Sequence, residues 1–217
     1  MPTLLVVTSS DADRQPVVYE RDLPPMRAEW GGFPPLPALS PSDNWTEIEE
    51  SGEELVRVDG EFFCTSAQWR RGWPGTSPHS FVRRRVADAL RSARAALPSG
   101  LDLAVLDAHR ALETQRYLYE RAYSGTGLPA GFVADPGPAA IVPPHTTGGA
   151  IDVTITWKGV PLAIGSAPGE YIPEANLAAL EDGSGTAHEL RRVLYWVMNQ
   201  AGFCGIREEW WHYSIGD

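Results

Sequence analysis

The sequence predicts an α+β fold: a single domain with a small, largely antiparallel sheet flanked by helices and an irregular N-terminal segment. Three observations predict it. Helical periodicity occurs in three separate stretches, a cleanly alternating strand stands between the second and third of them, and no regular strand-helix repetition links the elements. The 217 residues suit one domain spanning 1–217, in which a Pro/Gly-rich segment, 1–80, packs on a core formed by 81–217.

The first segment is punctuated by proline and glycine, as in "DLPPMRAEWGGFPPLPALSPSDNW", with short strand-like pieces in "ELVRV" and "EFFC". Its aromatic residues Trp30, Phe33, Trp45, Phe62, Phe63, Trp69 and Trp73 mark it as packed rather than disordered. The regular part begins near Phe81. Val82, Val86, Ala89, Leu90, Ala93 and Leu97 recur at three and four residues, which predicts an amphipathic helix stopped by Pro98 and Gly100. "LDLAVLD" reads as a strand, and "ALETQRYLYERAY" as a second helix with Leu112, Tyr119 and Ala122 inward. A turn-rich stretch leads to "AIDVTITW", whose alternation puts Ile151, Val153 and Ile155 on one face and Asp152, Thr154 and Thr156 on the other. The third helix, "AHELRRVLYWVMNQAG", turns Leu190, Val193, Leu194 and Val197 inward and ends at Gly202; a last element runs from Phe203 to Ile215.

Composition excludes several partners. A formal charge of -10 argues against nucleic acid, because phosphate binding needs clustered Lys and Arg; the one basic cluster, "VRRRVADALRSAR", is the solvated face of a helix. The opening "MPTLLVVTSS" carries only a short apolar run with no basic residue before it, unlike a secretory signal or a membrane span. A cytoplasmic protein without a membrane partner is expected. Cys64 and Cys204 are too few for a disulfide framework or a cysteine zinc site, so reduced thiols are expected.

Three pieces carry chemistry. In "HTTGGAID", His145 precedes Asp152, and the glycines between them break a helix, so His145 is expected on a loop that folds back beside the polar face of the strand. An imidazole nitrogen and a carboxylate oxygen converging there make two metal ligands. By itself this piece also fits a His–Asp hydrogen bond at a turn. In "EEWWHY", His212 is a third ligand candidate, leaving Glu209 to take a proton from water. A three-residue offset points side chains to opposite faces of a regular strand, so Glu209 must sit on the turn entering it. In "LDAHR", Asp107 and Arg110 fall where a strand hands over to a helix, and an arginine there stabilises charge developing on a carbonyl oxygen. Alone, these two read more simply as a surface ion pair. His79, His109 and His188 are assigned structural or solvated roles, and Cys64 that of a buried thiol.

Together these pieces resemble the LAS zinc peptidases, and most closely their D-alanyl-D-alanine dipeptidase branch. That branch carries a strand ending in D-x-x-R, then H-x-x-G-x-A-x-D, then E-W-W-H-Y after a helix and a Gly-Phe pair. This chain has "DAHR", "PPHTTGGAID" and "GFCGIREEWWHY" in the same order, and the resemblance covers roughly Phe81 to the C-terminus. It implies that His145, Asp152 and His212 hold zinc, that Glu209 is the general base, that Arg110 polarises the scissile carbonyl and that Asp107 holds Arg110 in place. Trp210 and Trp211 would wall the substrate site, and Glu208 falls where the family need not have an acid. Three positions depart from the pattern. Pro143 replaces the serine that helps receive the substrate's carboxylate, Ala111 replaces the proline that usually follows the arginine, and Gly169 replaces the aspartate that receives the free amine, with Glu170 beside it as the remaining candidate. The expected activity is hydrolysis of a small dipeptide or amide, D-Ala-D-Ala-like with an altered substrate. Two other classes share these residues: a non-haem Fe(II) enzyme using the same two histidines and carboxylate, and a non-catalytic zinc-containing binding module.

Overall fold

The structure is a computed structural model and describes residues 19–41, 51–125, 132–137 and 142–216. The opening "MPTLLVVTSS", Trp45 and part of the turn-rich stretch before Pro143 lie outside the described residues. In chain order the elements are β1 (Leu55–Arg57), β2 (Phe63–Cys64), α1 (Ala67–Arg70), β3 (Phe81–Arg83), α2 (Arg84–Ala95), β4 (Leu101–Asp107), α3 (Leu112–Tyr123), α4 (Pro144–Thr147), β5 (Ala150–Trp157), β6 (Val160–Pro161), α5 (Thr186–Gln200), β7 (Cys204–Gly205) and β8 (His212–Ser214). The main sheet has the order β2-β4-β5-β8-β7, with β6 paired to the far end of β5. Every pair in it is antiparallel except β2 with β4, while β1 and β3 form a separate antiparallel pair.

Strand β5 is the centre of the fold, and its alternation decides what each face does. Ile151, Val153 and Ile155 are buried and join Leu103 and Val105 of β4 in one apolar cluster with α2 and α5. Leu190, Val193, Leu194 and Val197 of α5 enter the same cluster, as do Val86, Ala89, Leu90 and Ala93 of α2. Each fully buried aliphatic side chain contributes on the order of 1.5–3 kcal/mol. The opposite face is covered as well: Thr154 and Thr156 are buried, and the Thr154 hydroxyl is satisfied by the Leu162 carbonyl at 2.8 Å.

Three local expectations are corrected. Val82 lies in β3 rather than at the start of a helix, because the Arg83 backbone is extended and its N–H bonds the Gly148 carbonyl at 2.9 Å. Leu112 is exposed; Thr114 and Gln115 are the buried residues of α3, because this helix covers a polar site rather than the apolar core. Phe63, on edge strand β2, is half exposed, while Phe62, on the turn before it, is buried.

The irregular segment shares the core. Trp30 is fully buried edge-on to Trp157, with ring centroids 5.2 Å apart, and Leu36, Val58 and Phe62 belong to the same cluster. Glu20 extends the sheet as a parallel bridge to Leu162, and the Trp196 indole donates to the Pro34 carbonyl at 2.8 Å. Cys64 and Cys204 are free thiols. Among the described residues no helix is long and apolar enough to cross a membrane.

Candidate metal centre

Strand register assembles the site. Asp152 on β5 lies opposite His212 on β8 and, on its other side, opposite Asp107 at the end of β4. Directly opposed residues share a face, so all three turn toward the same side. For Asp107 this depends on an irregularity: Val105 pairs with Val153 on the apolar face, and unbroken alternation would send Asp107 there too. The register shifts between Val105 and Asp107, one extra residue is accommodated, and Asp107 swings to the face of Asp152.

His145 arrives from α4, a single helical turn rather than the loop expected. Pro144 starts the turn and Gly148 stops it at φ 76°. A side chain at Gly148 would meet the movable Leu55 side chain at 2.5 Å, so it is the left-handed conformation that demands glycine. The turn is bound to the β4–α3 connection in both directions. The Arg110 N–H bonds the His145 carbonyl at 3.0 Å, and His145 Nδ1 lies 3.0 Å from the Ala108 carbonyl. With Nδ1 donating to Ala108, the lone pair of His145 is on Nε2 and faces the site.

Three donor atoms converge. His145 Nε2 lies 3.2 Å from His212 Nδ1, His212 Nδ1 lies 3.1 Å from Asp152 Oδ1, and His145 Nε2 lies 3.3 Å from Asp152 Oδ1. A tetrahedral ion with bonds of about 2.0 Å has donor-to-donor edges of about 3.3 Å, so this triangle matches one face of such a coordination shell. Two nitrogens and a carboxylate fit zinc in chemistry as well as size. Among the described residues no other group of three such donors comes together.

The electrostatics agree with the grouping. Burial alone would raise Asp152, but the facing His145 and His212 hold its carboxyl well below the usual carboxylate range. Burial likewise works against charge on His145, yet Asp152 outweighs it and raises the imidazole above its ordinary value. Glu209 sits on the turn before β8, as its spacing required, and the His212 N–H reaches back to the Glu209 carbonyl at 3.4 Å. Burial, reinforced by the Asp152 charge, raises the Glu209 carboxyl well above the ordinary glutamate value, while Arg110 and a hydrogen bond from Trp211 act against it.

Arg110 is held in a fixed pose. Its Nη2 and Nε donate to Asp107 Oδ2 at 2.5 and 3.1 Å, and its Nη1 donates to Gln115 Oε1 at 2.5 Å. Gln68 Nε2 donates to the same Asp107 oxygen at 2.6 Å, and Gln115 Nε2 donates to the Ala134 carbonyl at 2.7 Å. These groups line a cavity of about 550 Å³ together with Tyr19, Arg71, Trp73, Tyr171 and Trp211.

Several site expectations are not met in this geometry. Trp210 does not face the cavity: it is buried, its indole donates to Ser166 Oγ at 2.9 Å, and its ring lies over the Arg191 guanidinium. Only Trp211 of the pair lines the cavity, with the Trp210 ring packed edge-on behind it at 5.5 Å between centroids. Glu170 is also taken elsewhere, by Arg21 at 2.5 Å and by the Ala167 N–H at 2.7 Å. His79 pairs with Asp59 at 3.0 Å and His188 lies buried against Glu189 at 3.1 Å; neither joins the donor group, nor does His109. Sequence reasoning missed Gln68, Gln115 and Tyr19. A buried polar pair at 114–115, interrupting an apolar helix face, was the one available signal; Gln68 and Tyr19 come from the irregular segment and carry none.

Residues 79–217 match the model of the Peptidase_M15 family, described as D-ala-D-ala dipeptidase. No curated protein matches the chain. Among solved structures, the chain is similar to the LdcB LD-carboxypeptidase, with 20% identity and a TM-score of 0.39 over 63% of this chain and 59% of that one. It is similar to the vancomycin-resistance D,D-pentapeptidase VanY in complex with Zn(II), with 19% identity and a TM-score of 0.38 over 65% and 76%. It is also similar to the D,D-dipeptidase VanXYg in complex with a D-Ala-D-Ala phosphinate analog, with 22% identity and a TM-score of 0.40 over 64% and 51%. The chain therefore spans about half to three-quarters of the length of these structures.

Proposed function

We propose, on the premise that this chain belongs to the D-ala-D-ala dipeptidase family, that it is a zinc-dependent hydrolase cutting a small peptide or amide bond. The observation that carries the proposal is the triangle of His145 Nε2, Asp152 Oδ1 and His212 Nδ1 beside a half-buried glutamate and a fixed arginine. Zinc held there would supply the Lewis acidity that makes water nucleophilic near neutral pH. Glu209 takes a proton from the attacking water and returns it to the departing amine, a task suited to a carboxyl whose affinity for protons is raised by burial. Arg110 donates to the carbonyl oxygen as negative charge develops on it, and Asp107 and Gln115 keep the guanidinium where that charge appears. A site retained only for structure has no use for this base and this donor.

Recognition differs from that of a dipeptidase for a free zwitterion. Pro143 lines the cavity without a hydroxyl or an N–H, Gly169 offers no side chain, and Glu170 is committed to Arg21. A charge left desolvated and unpaired costs several kcal/mol. D-Ala-D-Ala itself is therefore a poor substrate in this proposal, and a larger or N-acylated amide a better one. Two measurements test it. Elemental analysis should find about one zinc per chain, lost in each of His145→Ala, Asp152→Ala and His212→Ala. Steady-state kinetics should then rank an N-acylated analogue above D-Ala-D-Ala; a kcat/KM for the free dipeptide near the top of the usual range of about 10⁴ to 10⁸ M⁻¹s⁻¹ overturns the ranking. Iron at full occupancy with oxygen consumption would favour the oxygenase instead.

A further inference from the structure

Among the described residues, more than half of the arginines pair with a carboxylate. Arg21, Arg57, Arg84, Arg91, Arg94 and Arg192 each pair with a carboxylate, and the same holds for Arg110 inside the cavity. Two arginines that line the cavity, Arg71 and Arg121, have no carboxylate partner among the described residues. Both are exposed, which places them at the mouth rather than beside the metal donors. Arg71 lies over the Trp73 ring, 5.5 Å from its centroid. Stacking of this kind holds a guanidinium by its face and leaves the N–H groups at its edge free for a planar anion.

The third arginine lining the cavity, Arg110, is paired with Asp107 and is reserved for the scissile carbonyl. Gln68 donates to Asp107, Gln115 to Ala134, and Arg110 to Asp107 and Gln115. An anionic group entering the cavity therefore meets Arg71 and Arg121 as its unspent cationic partners. The space fits a ligand that reaches them: about 550 Å³ lies within the range of about 300–1,000 Å³ that encloses drug-sized molecules, more than two alanine residues fill.

We infer that the cavity mouth is an anion subsite, in which Arg71 stacked on Trp73, with Arg121, receives a carboxylate on the part of the substrate remote from the scissile bond. The inference rests on the hydrolase reading and narrows its substrate class to acidic, extended peptides or acyl amides. A carboxylate matches the guanidinium edge through two parallel N–H···O bonds, whereas an uncharged amide of the same shape does not.

Two matched ligand pairs test it, each differing only in a remote carboxylate or carboxamide: N-succinyl- against N-succinamoyl-D-Ala-D-Ala, and D-Ala-D-Glu against D-Ala-D-Gln. Affinity is read by calorimetry on zinc-loaded Glu209→Gln protein, so that no ligand turns over, and hydrolysis is read separately on the parent enzyme. The expected result is a preference of about tenfold for the anionic member of one pair, collapsing toward one when Arg71→Gln is added, with Arg121→Gln reducing it in part. Both sites are exposed, and circular dichroism checks that each variant is folded. A ratio near one for both pairs in the parent, or a preference that survives both substitutions, overturns the subsite. Failure of the parent enzyme to hydrolyse any of the four overturns the hydrolase reading instead, and the affinity ratios still judge the subsite.

Discussion

Glu208 and Glu209 are chain neighbours with different partners, and the proposed role of base falls to Glu209. Glu208 Oε1 accepts from the Arg207 guanidinium at 2.9 Å, although its side chain also borders the cavity. The Glu209 carboxyl is buried beside Asp152 and Arg110 and bonded by Trp211. Glu209→Gln should keep zinc and lose on the order of 100 to 10,000-fold in kcat, while Glu208→Gln stays close to the parent. Equal losses from the two changes would show that the base is misassigned. His145 makes a second residue-scale prediction. Its folded pKa is raised by Asp152, so in the metal-free protein it contributes stability that is fully present below the unfolded value of about 6.5 and lost as pH rises through the folded value. Zinc needs the neutral imidazole, so binding should release protons in growing number as pH falls, measurable by calorimetry in buffers of different ionisation enthalpy. Release of none would mean that His145 already stands neutral without metal.

Among the elements, the short ones set the geometry. The register shift in β4 turns Asp107 toward Asp152, and the single turn α4 delivers His145. Neither is visible to periodicity, because one bulged residue or one turn of helix is shorter than any window in which a repeat can be counted. The glycines after His145 were legible as a break in the chain, but whether the residues before them coil or loop depends on contacts with β3 and the β4–α3 connection. Gly148→Ala should cost about 1–2 kcal/mol, the penalty of a left-handed backbone for a residue with a Cβ. The Leu55 side chain is exposed enough to move aside, so Leu55→Ala should recover little of the loss in urea unfolding. Zinc affinity should fall with it, since α4 carries one of the three donors. Full stability of Gly148→Ala would refute the strain argument.

At the scale of the whole molecule, Arg191 ties α5 to the segment that runs from Ile164 to Asn176. It is almost fully buried and, instead of a carboxylate, binds the carbonyls of Ile164 at 2.8 Å, Asn176 at 2.7 Å and Glu174 at 2.5 Å, with its guanidinium against Trp210. Burial pulls its pKa down to about 10, still charged at neutral pH. Arg191→Met should destabilise the protein by at least about 3 kcal/mol in urea unfolding, because three buried carbonyls lose their donors at about 1–3 kcal/mol each. A loss under about 1 kcal/mol would mean that water replaces the arginine. The sequence by itself determined the fold class and the inward faces of α2 and α5, since local periodicity is a property of the residues themselves, and its resemblance to the zinc peptidases named His145, Asp152, Glu209 and His212 as the candidates. Only the tertiary structure decided that Asp107 faces Asp152, that Trp211 and not Trp210 lines the cavity, that Glu170 is spent on Arg21, and that Gln68, Gln115 and Arg71 belong to the site. Those outcomes depend on strand register and on contacts between residues far apart in the chain, where burial and competing hydrogen bonds override what any short stretch prefers.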